Sequence, residues 1–268
     1  MAFITVNSAN LYYEDEGHGA ETIVFSHSML FNLRMFDDQV EALKSSYRCV
    51  RFDFRGQGKS EVTEGGYNLD NLANDTAELI EKLECIPCHF VGFSMGGMVG
   101  MRIAARRPDL IRSLILIDTS SEPDSPIHRL RNRALLWTAR NLGLRPVASR
   151  VIKMFFGQNA LRDPGRQHIR KTWKMHFLSN DRTGISKAVQ GVISRNGITS
   201  ELVNIRCPAL ILWGEEDRLT DKKKAEMMQV HIDNSTLKII PGAGHMSTVE
   251  EPAFINKAII DFLSAIGQ

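Results

Sequence analysis

Cysteine is scarce in this chain. Cys49, Cys85, Cys88 and Cys207 are the only four in 268 residues, too few and too scattered for a disulfide framework. Long apolar runs are missing as well. No stretch approaches the roughly 18 apolar residues of a membrane span, and the N-terminal MAFITVNSAN shows no basic region followed by an apolar one, so a signal peptide is not expected. Charge of one sign is not in excess: 33 Lys and Arg stand against 31 Asp and Glu, which argues against a dedicated nucleic-acid binder. Internal repeats and low-complexity tracts are absent. What remains is the profile of a globular, reduced, cytoplasmic protein.

Short apolar runs alternate with helical patterns. Candidate strands are 22–25, 48–52, 89–93, 114–117, 209–213 and 237–240. Each is four or five residues rich in Val, Ile, Leu or Phe, as expected for a parallel sheet covered on both faces. A hairpin of 3–6 and 11–15, turning at Ser8-Ala9-Asn10, precedes them. Leu69, Leu72, Ala73, Thr76, Leu79, Ile80 and Leu83 form a helical stripe. A second helix follows Ser94, and a third spans about 253–265 with Pro252 at its start, where a missing N–H costs nothing. This alternation predicts a doubly wound α/β sheet.

Residues 121–200 break the pattern. They show four helical stripes, around 135–142, 147–155, 169–177 and 185–193, and no strand. A helical insertion in such a sheet sits over the C-terminal strand ends, where ligands bind. The expected organisation is therefore a core of 1–120 and 201–268 with a helical cap, or lid, of 121–200. That cap is basic. It holds 15 Lys and Arg against four Asp and Glu, a net +11, while the remainder carries −9. Solvated helix faces account for such an excess. Attraction of an anionic substrate, carrier protein or lipid surface accounts for it too.

Gly92-Phe93-Ser94-Met95-Gly96-Gly97 lies between a strand and a helix. G-x-S-x-G in that setting is a nucleophile elbow, a turn so tight that Cβ atoms at 92 and 96 would strike neighbouring backbone. A serine hydroxyl near neutral pH is a poor nucleophile and needs a base.

With 25–30 (FSHSML), 52–60 (FDFRGQGKS), 213–217 (WGEED) and 242–246 (GAGHM), the chain resembles the α/β-hydrolases over nearly its whole length, and most of all 3-oxoadipate enol-lactonases and small bacterial carboxylesterases. The resemblance implies an α/β-hydrolase fold and a triad of Ser94, Asp217 and His245. Glu215, Glu216 and Asp118 are the competing acids. Backbone N–H groups of Met29 and Met95 would bind the oxyanion, with Ser28 standing where many relatives have glycine. His27 is expected to tie loop backbone. No cofactor and no metal is implied, and the partner is a small-molecule ester or lactone, of which an anionic one would suit the cap. Meta-cleavage C–C hydrolysis, thioester cleavage and perhydrolysis use the same triad. A ligand-binding signalling protein could keep the same residues.

Two motifs are set aside. Residues 53–60 lack the spacing of a Walker A loop and are read as a structural turn with Asp53 and Arg55 pairing locally. Cys85 follows a helix and Cys88 precedes a strand, so the helix N-terminus that activates a redox pair is missing. They are read as packing residues.

Overall fold

The computed structural model describes residues 2–267, without the side chain of His128. Eight strands form one sheet: β1 (Ala2–Val6), β2 (Ala9–Glu16), β3 (Thr22–Ser26), β4 (Arg48–Phe52), β5 (Cys88–Phe93), β6 (Ile111–Ile117), β7 (Ala209–Gly214) and β8 (Ser235–Ile240). Their order is β1-β2-β4-β3-β5-β6-β7-β8. β1 and β2 run antiparallel to their neighbours, and all other pairings are parallel. Every residue of β3, β5 and β7 is buried, which is why these strands read as continuous apolar runs rather than alternating ones.

The helices are α1 (Asp37–Leu43), α2 (Leu69–Lys82), α3 (Met95–Arg106), α4 (Pro126–Leu142), α5 (Arg145–Phe155), α6 (Gln158–Arg162), α7 (Gln167–Leu178), α8 (Arg182–Ile193), α9 (Lys222–His231), α10 (Ser247–Glu250) and α11 (Pro252–Ile266). They cover both faces of the sheet. Successive strand residues feed two separate cores: Phe90, Leu114 and Ile211 pack with α2, α3 and α9, whereas Val91, Ile115 and Leu210 pack with α1 and α11. The second core continues into Val147, Val151 and Phe155 of α5 and Ile185 and Val189 of α8. Residues 121–200 contain no strand among the described residues. No described helix is long and apolar enough to cross a membrane.

Two local expectations need correction. The hairpin turns on Asn7 and Ser8, not on Ser8-Ala9-Asn10; both carry positive φ (40° and 61°), as the two-residue turn matching strand twist requires. Ala9 and Asn10 already pair with Val6 and Thr5. Arg55 does not pair with Asp53. Its guanidinium grips Asp75 on α2, with Nε and Nη2 each donating to a carboxylate oxygen at 2.7 Å. Asp53 instead accepts the backbone N–H of Leu33 at 2.8 Å and of Lys59 at 2.9 Å. The 53–60 turn thereby holds the 27–33 loop.

Candidate active site

Ser94 sits between β5 and α3 with φ 51° and ψ −110°. A non-glycine residue is rarely held there, and such strain persists only where the surroundings over-determine it. The Ser94 N–H donates to Ile117 O at 2.8 Å, and its carbonyl accepts Thr119 Oγ1 at 2.6 Å. The flanking glycines make room. A Cβ on Gly92 would lie 2.6 Å from Gly96 O, and one on Gly96 would overlap the Ser26 carbonyl. The elbow thus presents the Ser94 hydroxyl at the N-terminus of α3, where free N–H groups and the helix dipole favour negative charge.

His245 arrives from the loop between β8 and α10. Ser94 Oγ lies 3.0 Å from its Nε2, and its Nδ1–H donates to Asp217 Oδ2 at 2.8 Å. Asp217 follows β7 and is itself fixed. Oδ1 accepts the N–H groups of Leu219 (2.7 Å) and Thr220 (3.2 Å), and the Thr220 hydroxyl donates to Oδ2. The imidazole is buried against Phe93 and Phe155. Burial on its own would lower the His245 pKa, but the Asp217 carboxylate, joined by the charges of Asp118 and Glu250, offsets it, and the net shift is upward.

The rival acids have other partners. Glu215 accepts the Gly242 N–H at 2.9 Å, and Glu216 accepts the Asn159 N–H at 2.9 Å. Asp118 accepts the Gly214 N–H at 2.7 Å and the Ser247 hydroxyl. It is fully buried, and burial followed by the neighbouring Asp217 charge raises its pKa. Of the four acids, Asp217 alone contacts His245.

Met29 and Ser28 line the cavity over Ser94, while Met95 is buried at the start of α3. Neither the Met29 nor the Met95 N–H has an acceptor among the described residues. The next amide, Gly96 N–H, is consumed by His27 O at 3.2 Å, and Leu30 N–H by Gln57 Oε1 at 2.7 Å. His27 ties the loop. Its Nδ1–H donates to Ser28 O at 2.6 Å, and its Nε2 accepts Phe54 N–H at 3.0 Å. Burial lowers its pKa to about 4, so it stays neutral.

One residue escaped the sequence-based reading. Glu250 is buried, and its Oε1 accepts the N–H of Gly244 (3.2 Å) and of Met246 (3.1 Å), the residues on either side of His245. Oε2 accepts Gly157 N–H at 3.0 Å, just ahead of α6. One carboxylate therefore joins the His245 loop to the helical segment. Burial raises its pKa to about 7.

The cavity above Ser94 and His245 measures about 120 Å³. Its walls are mainly apolar, from Leu135, Leu136 and Ala139 of α4, Val147 and Val151 of α5, and Val189 of α8. Arg131, Arg195, Lys224 and Asp124 bring the charged groups. Cys49, Cys85 and Cys88 are buried free thiols. Burial pushes Cys49 up to about 12 and Cys85 up to about 11, which leaves them poor nucleophiles. Among the described residues, no group of three His, Cys, Asp or Glu is placed to hold a metal ion.

The model of the alpha/beta hydrolase fold matches residues 21–252. The chain belongs to the α/β-hydrolase fold family. Among its relatives is 3-oxoadipate enol-lactonase 2 of Acinetobacter baylyi, 26% identical over 262 residues, covering 96% of this chain and 94% of the relative. Among solved structures, the enol-lactonase of Burkholderia xenovorans superposes with a TM-score of 0.91 at 27% identity, over 98% of this chain and 99% of that one. A thermophilic esterase of Thermogutta terrifontis, solved with malate bound, gives 0.91 at 28% identity, over 100% and 99%. The α/β-hydrolase fold that the resemblance implied is thus shared over nearly the whole chain.

Proposed function

We propose that this chain is a carboxylic ester hydrolase, cleaving esters or lactones through an acyl-enzyme. The observation that carries the proposal is the relay from Ser94 Oγ through His245 to Asp217, with links of 3.0 and 2.8 Å. The names of the enol-lactonase and esterase relatives support the same reaction class.

Ser94 Oγ attacks the ester carbonyl carbon while its proton passes to His245 Nε2. Asp217 holds the Nδ1–H tautomer and stabilises the imidazolium. The carbonyl π electrons move to oxygen, and the resulting oxyanion is received by the Met29 and Met95 N–H groups. On collapse the C–O bond to the leaving alcohol breaks, and His245 returns its proton to that oxygen. Water, deprotonated by the same imidazole, then cleaves the acyl-serine and releases the acid. A lactone follows the same course, with the alcohol remaining on the acid. Residues 121–200 act as a lid over the core of 1–120 and 201–268, and their apolar inner walls receive the non-reacting part of the substrate. No step calls for a cofactor.

The test is turnover of p-nitrophenyl esters of several acyl lengths by the wild type and Ser94→Ala. Hydrolysis that vanishes in Ser94→Ala is the expected result. No wild-type turnover at any length would refute the proposal.

A further inference from the structure

The helix α4 has apolar residues on two sides. One side, with Leu135, Leu136 and Ala139, closes the cavity over Ser94. The other faces solvent. Ile127, Leu130 and Trp137 are 72%, 70% and 63% exposed, and at 100° per residue they share one stripe with Ala134 between them. Exposed large side chains in contiguity mark an interaction surface, unlike isolated ones. Arg129, Arg133 and Arg140 run along one border of that stripe.

Most arginines of the core are compensated. On the core, Arg48, Arg51, Arg55, Arg106 and Arg107 all pair with carboxylates. Arg133 and Arg140 are exposed and form no ion pair among the described residues. The nearby acid Asp124 is taken by Arg195 at 2.9 Å. The border of the stripe is therefore an uncompensated cationic edge beside exposed aliphatic and aromatic side chains.

We propose that this outer face of α4 docks on an anionic phospholipid surface, with Ile127, Leu130 and Trp137 entering the headgroup–acyl boundary and the arginines meeting lipid phosphates. A helix with an apolar face and a basic border binds in that manner, lying in the interface rather than spanning it. A second copy of this chain fits less well. A two-fold contact places the same patch on both sides, so the arginines of both copies would enter one interface to which α4 contributes no acid. Docked this way, the helix would bring the cavity wall it carries next to the lipid.

The full chain is mixed with vesicles of phosphatidylcholine alone, or with 30% phosphatidylglycerol, and followed by sedimentation and tryptophan emission. Trp173 and Trp213 are buried, so Trp137 reports the contact. The expected result is co-sedimentation and a blue shift with anionic vesicles only, reversed by 0.5 M salt. Each basic side chain near an anionic surface strengthens partitioning about fivefold, so Arg133→Gln with Arg140→Gln weakens it about 25-fold. Leu130→Asp, at an exposed position, reduces it independently. Trp137→Phe abolishes the shift. Equal binding to neutral vesicles, no binding to anionic ones, or a shift that survives in Trp137→Phe would overturn the proposal. So would a dimer in sedimentation velocity that Leu130→Asp dissociates.

Discussion

Replacing Asp217 by Asn tests the relay at the point where geometry has most to say. The carboxylate has two jobs. Oδ1 accepts two backbone N–H groups, and Oδ2 accepts His245 Nδ1–H. An amide has one acceptor oxygen. The Leu219 and Thr220 N–H groups claim that oxygen, because turning the NH₂ toward them would set donors against donors. The NH₂ then points at His245 Nδ1 and favours the tautomer with its proton on Nε2. That proton faces Ser94 Oγ, and the base is lost. The comparable change in a serine protease lowers kcat about 10⁴-fold, equivalent to about 5.5 kcal/mol of barrier. A similar fall is expected here with KM nearly unchanged, since Asp217 does not reach the substrate. The assay is steady-state ester hydrolysis at pH 8, with circular dichroism to verify the fold. A loss smaller than tenfold would refute the assignment of the acid. If Asp118 took over, the residual rate would fall again in Asp217→Asn with Asp118→Asn.

Other outcomes follow from the same geometry. kcat/KM should decline on the acid side with a midpoint above the usual imidazole value of 6.5, because the net shift of His245 is upward; a midpoint below 6.5 contradicts the pairing with Asp217. Glu250 is raised from 4.5 to about 7. The folded chain therefore binds its proton more tightly than the unfolded one, and this contribution is full below pH 4.5 and lost as pH rises through 7. It amounts to about 3 kcal/mol at most, so urea titrations at pH 5 and pH 8 should differ by more in the wild type than in Glu250→Gln. Equal differences would discount Glu250. Gly96→Ala places a methyl group against the Ser26 carbonyl and should destabilise by about 1–3 kcal/mol, read as a lower Tm; an unchanged Tm would contradict the crowding at the elbow.

The sheet was legible because strands buried on both faces leave continuous apolar runs, and 22–25, 48–52 and 209–213 needed only a residue or so of adjustment. Helix α6 was not, since five residues show no period. The partner of Arg55 was misread because Asp75 lies on a different element, and nothing in the spacing of 53–60 reveals it. The candidate trio of Ser94, Asp217 and His245 came from the family resemblance carried by 92–97, 213–217 and 242–246, since nothing in residue spacing alone says that three distant loops meet. Glu250 was missed because it carries no such motif. Its partners are backbone N–H groups of two separate loops, and backbone acceptors leave no side-chain motif. Its one sequence cue is a carboxylate five residues after His245, just before Pro252.

The central claim is that Ser94 forms an ester with the substrate acyl group. Mass spectrometry of the intact protein, quenched in acid during turnover of a slow p-nitrophenyl ester, tests it directly. The account predicts an adduct of the acyl mass on the peptide containing Ser94, absent from Ser94→Ala and strongly reduced in His245→Ala, because the same imidazole that activates water first takes the serine proton. Turnover with no adduct at Ser94, or undiminished turnover in Ser94→Ala, would contradict it.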